Sequence, residues 1–349
     1  MRYLIQSLQE FSLSIISQST PLVTILMITY NHEHYLADAI QGVINQICDF
    51  EFELIIGEDC SQDATRQIAL DYERQYPGII RVIYSDKNVG MNANSRRIFD
   101  QAKGKYIAYC EGDDFWCDRT KLAQQVALIE NNLKVCIVHS DWTRAHFIDN
   151  TWQYDYQKSV HRRIDNKYLR GDLAPIWHYP KILRTCTILL RKSSIQAWYD
   201  SGIMNNKYHF GDSVLNYWIT SQGIVAYLPA VTAVYRVSSN SALRSGNAAR
   251  IAFYRSALEF DNAAQQFFIP IQIDYSKGYR WDNTASLILW GLRARDWSAV
   301  KDGLIDFRRN FSLFEFIKIG CQSLFMRVPT LQRQHRAIPN KKPYGISKS

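Results

Sequence analysis

Residues 105–116 read Lys-Tyr-Ile-Ala-Tyr-Cys-Glu-Gly-Asp-Asp-Phe-Trp. The run Lys105–Cys110 predicts a strand, and the acidic block after it predicts a loop at that strand's carboxyl end. Upstream, apolar runs at Val23–Ile28, Phe52–Gly57 and Ile80–Ser85 predict three more strands. Between them, Glu33–Gln46, Asp63–Tyr76 and Asn92–Lys103 carry helical spacing, with Asp63 as an N-cap, Pro77-Gly78 as a stop and Gly104 as a terminator. Downstream follow a helix over Asp118–Asn132 and a fifth strand over Val135–His139. Strand and helix alternate through the first 140 or so residues, which predicts an α/β fold with a parallel sheet and helices on both faces.

In such sheets ligands bind at the carboxyl ends of the strands. Those ends read Thr29-Tyr30-Asn31-His32-Glu33, then Gly57-Glu58-Asp59-Cys60-Ser61-Gln62-Asp63, then Asp86-Lys87-Asn88-Val89-Gly90, then Glu111-Gly112-Asp113-Asp114-Phe115-Trp116. Carboxylates at neighbouring strand tips repel one another unless a cation or a donor-rich ligand joins them. Hard oxygen ligands with few histidines suit Mg²⁺ or Mn²⁺, and those ions bridge phosphates. A diphosphate ligand follows, because the metal neutralises the leaving group as its bond breaks. Neither a G-x-x-x-x-G-K-[ST] loop nor a G-x-G-x-x-G after the first strand is present, which disfavours P-loop nucleotidases and dinucleotide enzymes.

Val23–Asn31, Gly57–Asp63, Asn88-Val89-Gly90 with Asn94, and Gly104–Trp116 together resemble the GT-A glycosyltransferases of family 2, over about residues 21–140 and more loosely to about 240. The Cys-Glu-Gly-Asp-Asp-aromatic-Trp block is similar to that of bacterial enzymes making capsule or lipopolysaccharide glycans. The resemblance implies an inverting, metal-dependent transferase with a GT-A, Rossmann-like sheet. Thr29, Tyr30, Asn31 and Glu33 would line the nucleotide pocket with Asn94 nearby, and Asp59 would accept from the base or ribose. Glu111 and Asp113 would occupy the two acidic places of the D-x-D motif, with Asp113 on a Mn²⁺ or Mg²⁺ ion. Phe210-Gly211-Asp212 would supply the catalytic base, Asp212. Arg236, in Tyr235-Arg236-Val237, would close over the diphosphate. The sequence departs from the family in three places. Glu111 opens the D-x-D, Cys60 stands where glycine is usual, and Ser238-Ser239 replaces a histidine often found after Tyr-Arg-Val.

Apolar residues make up 47% of the 349, enough for a sizeable core. Seven cysteines, with no C-x-x-C pair, suit a reducing compartment better than a disulfide framework. No stretch reaches the about 18 apolar residues of a membrane span, and the interrupted apolar spacing of Met1–Thr20 predicts a short packing helix rather than a signal peptide. The net charge of +8 is a C-terminal property: residues 301–349 hold ten basic residues against Asp302, Asp306 and Glu315. That placement disfavours a nucleic-acid binder, which spreads charge over one folded face. Leu313, Phe314, Ile317, Cys321, Leu324, Phe325 and Val328 instead predict an amphipathic helix over 311–328 with a basic tail, a helix that either packs on the core or lies on an anionic inner leaflet.

The domain reading is an N-terminal lead over 1–20, a transferase domain over 21–240 (donor half 21–140, acceptor half 141–240), and a helical region over 241–349. The expected partners are a nucleotide-diphosphate sugar, UDP-sugar favoured, and a glycan or lipid-linked glycan acceptor. The expected location is cytoplasmic, peripheral on the inner membrane face. Two other readings stay open at this point. One is a sugar-phosphate nucleotidyltransferase, which would carry a glycine-rich basic loop after the first strand. The other is a non-catalytic glycan-binding relative.

Overall fold

A computed structural model describes residues 20–148, 151–162, 164–174, 183–202, 208, 210–237, 246–267, 277–312 and 314–315. The lead over 1–19, His209, Ser238-Ser239 and all but the first residues of the 311–328 segment lie outside these.

The strands are β1 Val23–Thr29, β2 Phe52–Glu58, β3 Ile80–Tyr84, β4 Tyr106–Tyr109, β5 Phe115–Trp116, β6 Val135–Ile148, β7 Thr151–Tyr154, β8 Leu189–Arg191 and β9 Ile224–Val237. The helices are α1 Leu36–Ile44, α2 Thr65–Gln75, α3 Met91–Phe99, α4 Lys121–Glu130, α5 Lys192–Asp200, α6 Gly211–Gln222, α7 Asn247–Phe267, α8 Lys277–Ala294 and α9 Trp297–Asn310. The sheet order is β3-β2-β1-β4-β8-β6-β9-β5, with β7 paired to β6.

β3, β2, β1 and β4 run parallel, with Thr29 opposite Glu58, so the ends of β1, β2 and β4 open on one edge. Strands from beyond residue 140 make the sheet mixed. β8 runs antiparallel between β4 and β6, while β6 and β9 pair in parallel. The fifth strand also does not stop at His139 but continues to Ile148, paired to β9 across register shifts at Ser140–Trp142. Its middle hid in the sequence because polar residues there are buried and paired. The Ser140 hydroxyl meets that of Thr232 at 2.6 Å, and Asp141 accepts the His161 amide at 3.0 Å.

Alternation along the strands sorts the core onto two faces. Val23, Ile25 and Met27 of β1 pack with α1, α2 and α4, through Leu36, Ile40, Ala69 and Leu122. Leu26 turns the other way, towards α3, α5 and α6, through Ile98, Trp198 and Val214. Helices therefore cover both faces, as a parallel core requires.

Two local expectations are corrected. Asp63 is not the N-cap of α2, which is Ala64; its carboxylate instead accepts from the Thr65 and Glu33 amides at 3.0 and 3.1 Å. Gly104 does not terminate α3, which ends at Phe99. It sits where the chain crosses β1, and a Cβ there would lie 2.4 Å from the Thr24 nitrogen.

The helical region is fastened to the sheet by aromatics. Phe253 and Phe260 of α7 pack edge-on against Phe210, the residue before α6, with ring centroids 5.4 and 5.9 Å apart. α7, α8 and α9 share a small core of Ile251, Leu258, Leu287, Trp290 and Ala299. Within it the buried Arg280 guanidinium pairs with Asp306, which also accepts from Thr284 Oγ1 at 2.7 Å. At the start of the 311–328 segment, Ser312 and Glu315 form a reciprocal capping box: Ser312 N donates to Glu315 Oε2 at 2.9 Å, and Glu315 N to Ser312 Oγ at 3.2 Å. Among the described residues, no helix is long and apolar enough to cross a membrane.

His139 lies fully buried in β6, with Nε2 2.6 Å from the Leu169 carbonyl and its ring beside His161 and Tyr227. Burial pushes its pKa down to about 3. The unfolded imidazole titrates near 6.5, so below that pH the unfolded chain binds the extra proton and stability falls as pH drops. From pH 7 to 5 the expected loss from this group is about 2 kcal/mol. Urea unfolding of the wild type and of His139→Gln at the two pH values checks it: the variant should show the shallower pH dependence.

Candidate functional site

The ends of β1, β2 and β4 are tied into one scaffold by polar groups. Asn31 adopts a left-handed backbone (φ 55°), and its Oδ1 accepts the Gln62 amide at 2.8 Å while its own amide donates to Ser61 Oγ at 3.0 Å. Glu33 Oε2 accepts the Ala64 amide at 2.9 Å. Asp59, buried, accepts the Val89 and Gly90 amides at 2.8 and 2.9 Å. Buried Glu58 takes the Arg66 guanidinium at 2.5 Å and the Ser61 amide at 2.6 Å. Cys60, at the usual glycine position, also has a left-handed backbone (φ 62°), which accounts for the glycine preference there.

These contacts show where the structure places several sequence-predicted site residues. The side chains of Asn31, Glu33 and Asp59 hold the three loops together. Asn94 is buried, with Nδ2 donating to the Gly57 carbonyl at 2.8 Å and Oδ1 accepting from Arg97 Nε at 2.8 Å. Both its polar ends are spent inside the protein, pinning α3 to β2. Tyr30 stands exposed on the rim, while Thr29 is buried with Oγ1 3.2 Å from His32 Nδ1.

The β4 loop carries the charge. Gly112 lets it approach β1, since a Cβ there would lie 2.7 Å from Thr29 Oγ1 and 2.9 Å from His32 Nδ1. Glu111 Oε2 is buried with no hydrogen-bond partner among the described residues. Burial first, and the Asp113 carboxylate next, raise its pKa to about 7. Asp114 is pushed well up by the same causes in the same order. The cation set against this cluster is Arg236. Its amide donates to Asp114 Oδ1 at 3.0 Å, Nη1 to the Asp113 carbonyl at 3.3 Å, and Nη2 pairs with Asp38. The guanidinium lies over Phe115 at 4.6 Å from the ring centre. His32 borders the cluster, and its pKa is lowered chiefly by burial, against the pull of Asp113 and Asp63.

A cavity of about 500 Å³ opens between α3, α5 and α6 on this side of the sheet. Leu26, Ile188, Trp198 and Leu215 give it apolar walls, and its polar groups include Glu111, Asp212, Arg96, Arg97, Thr185 and Asn216. Asp212 lies exposed in the first turn of α6 and is not the N-cap, which is Phe210. Asn216, one turn on, is buried with Oδ1 unpartnered among the described residues. Arg96 pairs with Asp100 at 2.8 Å and stacks on Tyr199, while Arg97 donates to the Glu58 carbonyl at 2.5 Å. Trp116 does not line the cavity but is buried in the core, its indole donating to the Cys186 carbonyl at 2.8 Å.

Of the predicted residues, the cavity thus unites Glu111 with Asp212, and Asp113 and Arg236 flank Glu111. Sequence reasoning gave no role to His32, Asp114, Thr185 or Asn216. The first two stood inside quoted motifs, as a histidine beside a strand end and a third acid in one block. Thr185 and Asn216 come from stretches with no motif.

Residues 24–197, about half of the chain, match the model of glycosyl transferase family 2. The chain belongs to that family through this segment, on a GT-A scaffold. The putative teichuronic acid biosynthesis glycosyltransferase TuaG of Bacillus subtilis is 34% identical over 106 residues, 30% of this chain and 41% of that protein. The chain spans about two fifths of the length of the curated relatives it matches. Among solved structures, the mannosyltransferase PcManGT of Pyrobaculum calidifontis, in complex with GDP-Man and Mn²⁺, superposes with a TM-score of 0.57 at 16% identity, covering 91% of this chain and 85% of that one. S. aureus TarS in complex with UDP gives 0.51 at 16% identity, covering 91% and 81%. At such identities these structures speak for the fold.

Gly112→Ala should force Thr29 and His32 from their places. The expected cost is about 1–3 kcal/mol from overpacking. Urea unfolding of the variant against the wild type measures it.

Proposed function

We propose that the protein transfers a sugar from a nucleotide-diphosphate donor to a glycan or lipid-linked glycan acceptor in surface polysaccharide synthesis, with inversion at the anomeric carbon. The observation that carries this reading is the meeting of Glu111 and Asp212, from the two halves of the fold, in one cavity beside the Asp113–Arg236 cluster. A UDP-sugar is the favoured donor. TuaG, named for teichuronic acid biosynthesis, supports the polysaccharide assignment, and the UDP and GDP-Man complexes of the structural neighbours support a nucleotide-sugar donor. The loop after β1, Thr29–Glu33, has no glycine, which speaks against a nucleotidyltransferase. The proposed setting is the cytoplasmic side of the membrane.

A Mn²⁺ or Mg²⁺ ion fits the residues present. Glu111 Oε2 is a buried orphan acceptor, and burial first, then the Asp113 carboxylate, raises the pKa values of Glu111 and Asp114. Among the described residues, no three His, Cys, Asp or Glu side chains gather to hold a metal unaided. Asp113 would hold it together with ligand oxygens, with Glu111 alongside. When bound, the ion would supply neutralisation of the diphosphate charge.

The remaining work falls to side chains of this chain. Asp212, exposed at the cavity mouth, takes the proton of the acceptor hydroxyl as that oxygen attacks the anomeric carbon. The bond from that carbon to the diphosphate oxygen breaks on the opposite face, and the nucleoside diphosphate leaves with the electron pair. Arg236 is already aligned on the Asp113 carbonyl and faces the departing charge. Glu111 and Asn216 offer acceptors to the sugar hydroxyls inside apolar walls that exclude water.

The donor is identified by a thermal-shift panel of UDP-, GDP-, dTDP- and CMP-sugars with Mn²⁺, since a bound ligand raises Tm by mass action. Asp113→Asn should abolish transfer and metal-dependent nucleotide binding while leaving unfolding by urea unchanged. Asp212→Asn should lower kcat by about 10²–10⁴-fold with donor affinity retained. Full transfer in EDTA, or a defect in Asp212→Asn that lies wholly in donor binding, would refute these roles.

A further inference from the structure

The α8–α9 hairpin presents a surface that the transfer reaction does not use. On α9, Trp297, Lys301, Leu304, Ile305 and Arg308 fall at i, i+4, i+7, i+8 and i+11, an arc of about 100° on a helix of 3.6 residues per turn. All five are exposed, Trp297 at 69% and Leu304 at 53%. The opposite face, Ala299, Gly303 and Asp306, is the buried one. α9 therefore meets the core with its small residues and turns its large apolar ones outward, the reverse of an ordinary packing helix. The end of α8 and the turn into α9 continue the surface with Leu292, Arg293 and Arg295, all exposed.

The charges on this hairpin are sorted by sign. The acids of α9 and of the turn before it each have a partner within the chain: Asp302 pairs with Arg255 at 2.7 Å, Asp306 with Arg280, and Asp296 is the N-cap accepting the Ala299 amide at 3.0 Å. For Lys301, Arg295, Arg308 and Arg309 no acidic partner is found among the described residues. Along the arc from Trp297 to Arg308, what reaches solvent is Trp, Leu and Ile interleaved with cations, with the half-exposed, Arg255-paired Asp302 beside it. A protein partner complementary to this surface would have to match both an apolar strip and uncompensated positive charge. An anionic lipid surface offers both in one plane, headgroup charge for the cations and acyl boundary for Trp297 and Leu304.

We propose that the exposed face of α9, with the α8–α9 turn, docks the protein on an anionic membrane surface. This rests on no step of the transfer chemistry, and it concerns residues other than the 311–328 segment.

The test is co-sedimentation of the full chain with vesicles of phosphatidylcholine alone and of phosphatidylcholine with phosphatidylglycerol, at low salt and at high salt. The full chain should bind only the phosphatidylglycerol vesicles and release them at high salt. Two surface variants, W297S/L304S and K301E/R308E, should each weaken binding at least about tenfold while keeping the wild-type Tm. Wild-type binding by both variants would overturn the proposal and move the contact to the segment beyond residue 315. Absence of binding by the full chain would overturn it as well. A dimer dissolved by both variants, with no vesicle binding, would reassign the face to contact between copies. None of these outcomes alters the panel of donor nucleotides, which reports on the catalytic reading separately.

Discussion

The site depends on the burial of negative charge at the end of β4. Three carboxylates occur within four residues there, and burial raises the energy of every one that is ionised. Arg236 is the main internal counterweight, and it arrives from β9, on the far side of the sheet order. Its amide and guanidinium reach Asp114, Asp113 and Asp38, so the loop can keep its shape only while β9 pairs with β5 and β6. The compensation is partial. Glu111 is left with a raised pKa and an orphan oxygen, a perturbation typical of a functional site.

The rest of the architecture follows from holding that loop against its neighbours. The parallel block β3-β2-β1-β4 gathers three strand ends along one edge. Asn31, Glu33 and Asp59 then spend their side chains fixing the loops to one another rather than leaving them to move independently. Antiparallel β8 brings the turn with Thr185 beside Glu111. The long β6–β9 pair carries the chain to Arg236.

The parallel half was legible because each strand is a run of β-branched and apolar residues bounded by polar loops, and the acidic motif fell in place after its strand. The mixed half was less so. β6 runs through buried Ser140, Asp141 and Thr143, whose polarity reads as a loop until their partners on β9 and in the 155–161 loop are known. The roles of single carboxylates were hardest. Asp59 facing a ribose and Asp59 capping two loop amides look identical in a one-dimensional string. Only the approach of Val89 and Gly90 to its oxygens separates them. Gly104 misled in the same way, since its need for close packing against Thr24 leaves no local signature.

The clasp of Phe253 and Phe260 on Phe210 bears on how chimeras of such enzymes can be built. Phe210 is the N-cap of the helix that carries Asp212, and its aromatic neighbours lie more than forty positions later in the chain. A recombinant that joins this chain's first 240 residues to another protein's helical region would keep every acidic motif yet lose the wedge that aims α6. Crossover points placed before β6, so that α6 and α7 travel together, preserve that aim. The unit of exchange is therefore the chain from β6 onward with its helical region, not the segment that the sequence motifs outline.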